Sequence, residues 1–464
     1  MLFNSLTYLI FLPLVVFTYY LMPAKYRWCL LLACSYIFYM CWKPEYILLI
    51  ITSTLVVFYT GKKISESISK KQKNRYLLLS IFVNLGILFF FKYYNFSVYN
   101  LQIILDQFNI VADIPVFKIL LPVGISFYTF QAISYTADLY LDKIKPEKHL
   151  GYFALYITYF PQLVAGPIER YNDLMPQFKQ KFEVNYPNLR YGINKILLGF
   201  FKKVVVADTL AIYVDYAFMN AEACNGLQHY LGLIFFAVQM FCDFSGYSDI
   251  AIGSARLMGI KLTENFNKPF KALSINDYWQ RWHISLTNWI RDYIFYPIMY
   301  SRPKQLMVNT MIVFLAIGIW HGANVNYIIF GLIHGALTII QYAYGRSKLF
   351  PQFKSKFGTA IRWLFNLHLL IFSAVFFRAT SFDQATIILS KIFTDLKFGL
   401  SSIFVGISPF DFFLNIGLIV LLGLTALFNK ELRFKKNFVY IGVMLMLILL
   451  FGQNREVQFI YFQF

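Results

Sequence analysis

Six histidines stand in the 464-residue chain: His149, His229, His283, His321, His334 and His368. His321 closes the apolar run MIVFLAIGIW (residues 311–320) and is followed by Gly322, Ala323 and Asn324. That run carries the imidazole into a bilayer, and the small residues let another backbone come close. An ionisable group at such depth is costly, faces a protein interior or a watery cavity, and is a functional candidate by default. Imidazole titrates near pH 6.5 and can take and return a proton around neutrality. General base work of that kind is worth about 10²–10⁴ in rate. On the residues alone two readings stand open, general base or buried helix-packing hydrogen bond. A second Trp-His pair, in Arg281-Trp282-His283-Ile284-Ser285-Leu286, lies on the other side of one apolar crossing from Trp320-His321, and the two imidazoles could line a common cavity. His149 and His229 fall in predicted loops, where a surface role is expected. His368 sits inside a crossing and is expected to pair with a neighbouring helix.

One more group of polar residues follows an apolar run. Asp243, Ser245, Tyr247, Ser248 and Asp249 are read first as intramembrane hydrogen bonding that fixes helix packing, with a channel lining as the alternative. The five cysteines, Cys29, Cys34, Cys41, Cys224 and Cys242, form no CxxC and indicate neither a disulfide framework nor zinc. No ligand cluster with suitable spacing occurs, so no metal is expected.

The elements that position these residues are membrane helices. The composition is 58% hydrophobic and 14% charged, against about 25% charged in a soluble domain. Apolar runs near the ~20 residues that cross a bilayer recur throughout. Crossings are expected at Leu6–Tyr20, Trp28–Cys41, Tyr46–Thr60, Tyr76–Phe91, Phe117–Tyr140, Ile193–Met219, Tyr230–Leu257, Trp363–Phe377, Phe412–Leu427 and Val439–Phe451. Tyr152–Val164 and Val308–Ile340 read as re-entrant or tilted. The first run lacks a basic leader and a cleavage site and is read as a retained helix. No repeat or linker divides the chain, so residues 1–464 form one expected domain.

The net charge of +19, from 42 Lys and Arg against 23 Asp and Glu, sits in short loops: Lys62, Lys63, Lys70, Lys71, Lys73 and Arg75, then Lys430, Arg433, Lys435 and Lys436. That is a topology signal, not a nucleic-acid surface. With Lys62–Arg75 cytoplasmic, the N-terminus lies outside, residues 259–304 inside, and the tail 452–464 on the extracytoplasmic side. Thr263–Tyr300 is too polar to cross lipid and too aromatic for a free loop. Its Trp279, Trp282 and Trp289, with Arg281 and Arg291, suit helices lying at the interface. The segment FIYFQF (residues 459–464) ends the chain, faces outward on this topology, and offers one hydroxyl, Tyr461. It reads as an aromatic anchor or as a nucleophile held near the bilayer.

Taken together, LPVGISFYTFQAISYTADLY from Leu121, FPQLVAGPIERY from Phe160, FCDFSGYSDIAIG from Phe241, NFNKPF with DYWQRWHISLTNWIRDYIFYP from Asn265, and GIWHGANVNYIIFGLIHG from Gly318 resemble a bacterial membrane-bound O-acyltransferase. The branch is that of the alginate and peptidoglycan O-acetylation proteins, and the match is collinear over nearly the whole chain. The resemblance implies an all-α ring of about 10–12 transmembrane helices around a central funnel, with re-entrant and interfacial helices. It implies His321 as the catalytic residue and His283 as its partner. The branch's related systems point to Tyr461 as a covalent acyl carrier. Trp279, Arg281, Trp282, Trp320, Asn324, Asp243, Ser245, Tyr247 and Gln131 become candidates for lining the substrate channel, while Arg170 and Asn265 carry no assignable role.

The reaction so implied takes an acyl group, acetyl being expected, from a cytoplasmic thioester such as acetyl-CoA, with no permanently bound cofactor. The acyl group passes to Tyr461 and then to an extracytoplasmic SGNH/GDSL-type transferase, which acylates a cell-envelope or exported polysaccharide. The expected location is the bacterial plasma (inner) membrane. Two rivals stand beside this reading: a non-catalytic transporter of saccharide or acylated substrate, against which the lack of two related halves counts, and an acyltransferase acting on lipid or protein directly.

Overall fold

The computed structural model describes residues 1–117, 120–346, 355–399, 403–427, 437–453 and 459–460. Tyr461 and the basic residues Lys430, Arg433, Lys435 and Lys436 lie outside the described residues. Among those described, the secondary structure is helical, with no strand. Five helices are long and apolar enough to cross a membrane: Pro44–Glu66, Lys70–Lys92, Gly226–Leu257, Val325–Gly345 and Lys356–Arg378. Shorter apolar helices include Leu6–Leu21, Leu306–His321 and Phe438–Phe451.

The chain forms two compact units, Met1–Ile196 with Ile250–Thr263, and Leu197–Asp249 with Glu264–Phe464. Two of the boundaries fall inside the helices Tyr186–Phe200 and Gly226–Leu257, so no linker marks them in the sequence.

In the first unit, Ile47–Glu66, Lys70–Lys92 and Ile125–Tyr140 pack on one another. Their apolar faces are pinned by short polar pairs: the Ser53 hydroxyl donates to Asn84 Oδ1 at 2.5 Å, and Ser80 bonds Thr136 at 3.3 Å. In an apolar surround such bonds matter because an unpaired polar group would be costly. Ser5 begins the first helix, its hydroxyl accepting from the Tyr8 amide, a standard cap. The helix expected from Phe117 starts only at Ile125, because Pro122 and a left-handed Gly124, φ +74°, stop it from running further back. A helix at Tyr94–Gln107 was not expected; Asn95, Asn100, Gln102 and Asp106 interrupt its apolar pattern.

In the second unit, Leu306–His321 and Val325–Arg346 form a tight hairpin. Glycines permit the contact: a Cβ on Gly318 would meet the Tyr327 carbonyl at 2.3 Å, and one on Gly331 the Phe314 carbonyl at 2.4 Å. Small residues at such a crossing are the usual means of close helix packing in a membrane. Residues 264–301 break into short helices, Ile275–Trp279, Ile284–Ile290 and Tyr296–Ser301, with a π-helical turn at Arg291–Phe295. They are tied to the longer helices of this unit. Trp363 Nε1 donates to the Phe270 carbonyl, Asn366 Nδ2 to that of Ala272, and the Ile275 amide to Gln341 Oε1. Trp279, Trp282 and Trp289 are all buried in protein. The expectation of interface-seeking rings is therefore corrected; these indoles are core.

Candidate active site

His321 is the last residue of Leu306–His321 and is 3% exposed. Its ring is surrounded by other rings: Phe377 at 4.9 Å, Trp320 at 5.0 Å, Phe330 at 5.9 Å and Tyr327 at 6.4 Å between centroids. Gly322 lets the chain leave the helix under Tyr327, whose ring would lie 2.5 Å from any Cβ there. The imidazole lines a small cavity together with His334, Trp279, Trp282, Met240, Phe330 and Phe377.

His334, on the second arm of the hairpin, was not singled out in the sequence, although Gly-Leu-Ile-His-Gly lay in a matching stretch. Its hydrogen bonds fix its tautomer. The indole Nε1–H of Trp279 can only donate, and it meets His334 Nδ1 at 3.2 Å; Nδ1 is therefore the acceptor. Nε2 then carries the proton and donates to the Ser373 hydroxyl at 3.0 Å, which donates onward to the Leu370 carbonyl at 2.8 Å. His334 is thus a neutral strut that holds Trp279 in the cavity wall.

His283 is fully buried and sits in a left-handed conformation, φ 44° and ψ 55°, uncommon outside glycine and worth of order 1–3 kcal/mol of strain. Asn265 explains how it is held. Its carbonyl accepts from the Ile284 amide at 2.9 Å, and its side-chain oxygen accepts from the Ser285 hydroxyl at 2.7 Å and amide at 3.3 Å. Asn265 thereby starts the helix that follows His283. The His283 ring contacts Phe244 at 4.6 Å and Trp320 at 5.9 Å. Trp320 therefore touches both imidazoles, whereas the cavity beside His321 is not lined by His283. Trp320 links the two imidazoles by ring contacts.

The other candidates separate. Asp243, Ser245 and Tyr247 are buried on Gly226–Leu257. Asp243 Oδ1 pairs with Lys203 at 2.7 Å, and Lys203 also pairs with Asp208 at 2.8 Å. Asp249 pairs with Lys202 at 2.6 Å, and Ser248 Oγ accepts from Asn265 Nδ2 at 3.4 Å. Asn324 caps the second arm of the hairpin, accepting from the Asn326 amide at 2.9 Å and donating to the Thr380 carbonyl at 3.1 Å. Arg281 is half-buried and pairs with Asp277 at 2.6 Å. Neither it nor Asn324 lines the cavity beside His321. Gln131 belongs to the first unit, where it donates to the Tyr156 carbonyl and accepts from Gln162. His229, expected at the surface, is 1% exposed. The helix begins at Gly226, earlier than expected, and turns the imidazole onto the Ala221 carbonyl at 3.0 Å. His149 is exposed and caps Leu150–Thr158, and His368 bonds Tyr230 on a neighbouring helix at 2.9 Å.

An all-helical chain with several apolar spans and buried histidines at a ring-lined cavity is a membrane protein with the means for acid–base chemistry. Residues 36–381 match the membrane-bound O-acyltransferase family, and the chain belongs to that family. It is 37% identical to a probable alginate O-acetylase of Pseudomonas putida over 85% of this chain and 80% of that one. It is 33% identical to a peptidoglycan O-acetyltransferase of Helicobacter pylori over 83% of this chain and 78% of that one. A teichoic acid D-alanyltransferase of Bacillus subtilis is 33% identical over 46% of this chain and 57% of its own length. The chain is a multi-pass membrane O-acyltransferase.

Proposed function

We propose that the chain is an O-acetyltransferase of the bacterial inner membrane, which takes acetyl from a cytoplasmic thioester and relays it outward for O-acylation of an envelope or exported polysaccharide. The observation that carries this reading is the placement of His321 in the wall of a small cavity lined mostly by aromatic and apolar groups, with the hydrogen-bonded pair His334 and Ser373 among them. A water-poor wall of this kind strengthens the electrostatics of a proton transfer and leaves little room for a long acyl chain.

In the proposed step, the acceptor hydroxyl attacks the thioester carbonyl while His321 takes its proton. The C–O bond forms, the C–S bond breaks, and the proton returns to the departing thiolate. With Tyr461 as acceptor the products are a free thiol and an aryl acetate. A phenol has a pKa near 10 and needs such a base, and its ester gives up the acyl group readily to a following SGNH-type partner. The polysaccharide modifications named for the relatives support an envelope polymer as final acceptor.

The test is His321→Ala at normal abundance in the membrane, read as ester content of the envelope polymer. A loss of about 10²-fold or more is expected. Near-normal ester content would remove His321 from the mechanism and favour transport without catalysis.

A further inference from the structure

Lys203, Asp208 and Asp243 form an ion cluster in which each side chain is 4% exposed or less. Charges this deep are costly, and one carboxylate would suffice to neutralise one lysine. Asp208 already does so at 2.8 Å. Asp243 is the surplus charge, and its second oxygen has another use: Oδ2 accepts a hydrogen bond from the backbone amide of Ile460 at 2.8 Å.

Three further observations point to the same segment. Phe459 is fully buried, stacked on Tyr247 with centroids 4.5 Å apart and planes at 20°, and 5.7 Å from Phe244. Tyr247 stands four residues after Asp243 and three after Phe244 on their helix, the spacings at which side chains are neighbours. On the other side of residues 454–458, the Gln453 amide donates to the carbonyl of Val204 at 3.0 Å. Val204 lies next to Lys203 in the π-helical stretch Phe201–Ala207. The C-terminal segment is therefore gripped on both sides of residues 454–458, by a carbonyl of that stretch and by the carboxylate paired with its lysine. Phe244 in turn touches His283.

We infer that Asp243, held by Lys203, is a positioning residue that latches the C-terminal segment at Ile460, the residue before the proposed acceptor Tyr461. The inference rests on Tyr461 as acceptor for its purpose, but the latch itself is read independently. A charge-assisted bond of this type shifts an opening equilibrium by about tenfold or more.

The experiment is residue-resolved amide hydrogen exchange at Ile460 in the purified full chain, paired with the rate of acetyl loading onto Tyr461 from acetyl-CoA. Asp243→Leu leaves Lys203 balanced by Asp208. It should accelerate exchange at Ile460 about tenfold or more and lower the loading rate with little change in KM for the thioester. Asp243→Asn retains an acceptor oxygen and should restore much of the protection. Asp208→Asn disturbs the same cluster without touching the segment and should leave Ile460 protected. Native exchange in Asp243→Leu, or equal acceleration in Asp208→Asn, would overturn the latch. If the native chain loads no acetyl on Tyr461, the acceptor reading fails, while the exchange measurement still decides the latch.

Discussion

The histidines at the cavity differ in what their nitrogens can do. His334 has Nδ1 committed to Trp279 and Nε2 to Ser373, so its imidazole is a fixed spacer. His321 lies against aromatic ring systems at the cavity wall, the setting in which a base can meet a substrate. His283 is connected to it through Trp320, whose ring contacts both imidazoles. His283→Ala should therefore slow acyl transfer less than His321→Ala, and the double variant should be little slower than His321→Ala alone, because groups acting as a unit are non-additive. Transfer rates of the three variants check this; losses that multiply would place the two histidines in separate roles. The Trp-His pairs made His321 and His283 candidates in the sequence, and both imidazoles are buried in the protein. His334 was not singled out, since its role depends on a tryptophan 55 positions earlier. Lys203 was not singled out either, although with Lys202 it lies inside the expected crossing Ile193–Met219; it is buried in the π-helical stretch Phe201–Ala207.

At the scale of elements, hydropathy located the first three helices to within one residue at their N-terminal ends, whereas the fourth begins at Lys70, six residues before the expected Tyr76, because its first turns are basic. It failed where polar residues serve other helices. Trp279, Trp282 and Trp289 looked like membrane anchors and are core, since sequence cannot tell burial in protein from burial at a headgroup. Asn265 had no readable role because its work is to close a turn around His283. The loop after Phe160–Leu163 offers a test of such buried polar joints. Burial pushes the Glu169 carboxyl up to about 7, against the opposing hydrogen bonds from the Thr263 amide and hydroxyl, with Asp173 adding to the rise and Arg170 opposing it. The fold thus favours the protonated form. Its contribution to stability is full below the ordinary carboxyl value of 4.5 and is lost as pH rises through about 7, by at most about 1.4 kcal/mol per pH unit. Thermal melts of the detergent-purified protein between pH 5 and 8 should show a shallower decline for Glu169→Gln than for the native chain. Identical slopes would contradict this assignment.

At the scale of the whole molecule, the proposed relay joins a thioester on one face of a membrane to an acceptor on the other. The topology proposed from charge puts the basic loop Lys62–Arg75 in the cytoplasm and the C-terminal segment on the opposite face. The proposed covalent carrier on that segment would let the acyl group cross without any charged carrier following it. The latch at Asp243 and the ring path from Phe459 through Phe244 to His283 are what such a carrier requires. The most direct measurement is the intact mass of the C-terminal peptide after the purified protein is incubated with isotopically labelled acetyl-CoA. One labelled acetyl group on Tyr461 is predicted in the native chain, with none in His321→Ala or Tyr461→Phe. An unlabelled native peptide, or a Tyr461→Phe chain that still supports normal polymer acetylation in cells, would contradict the relay.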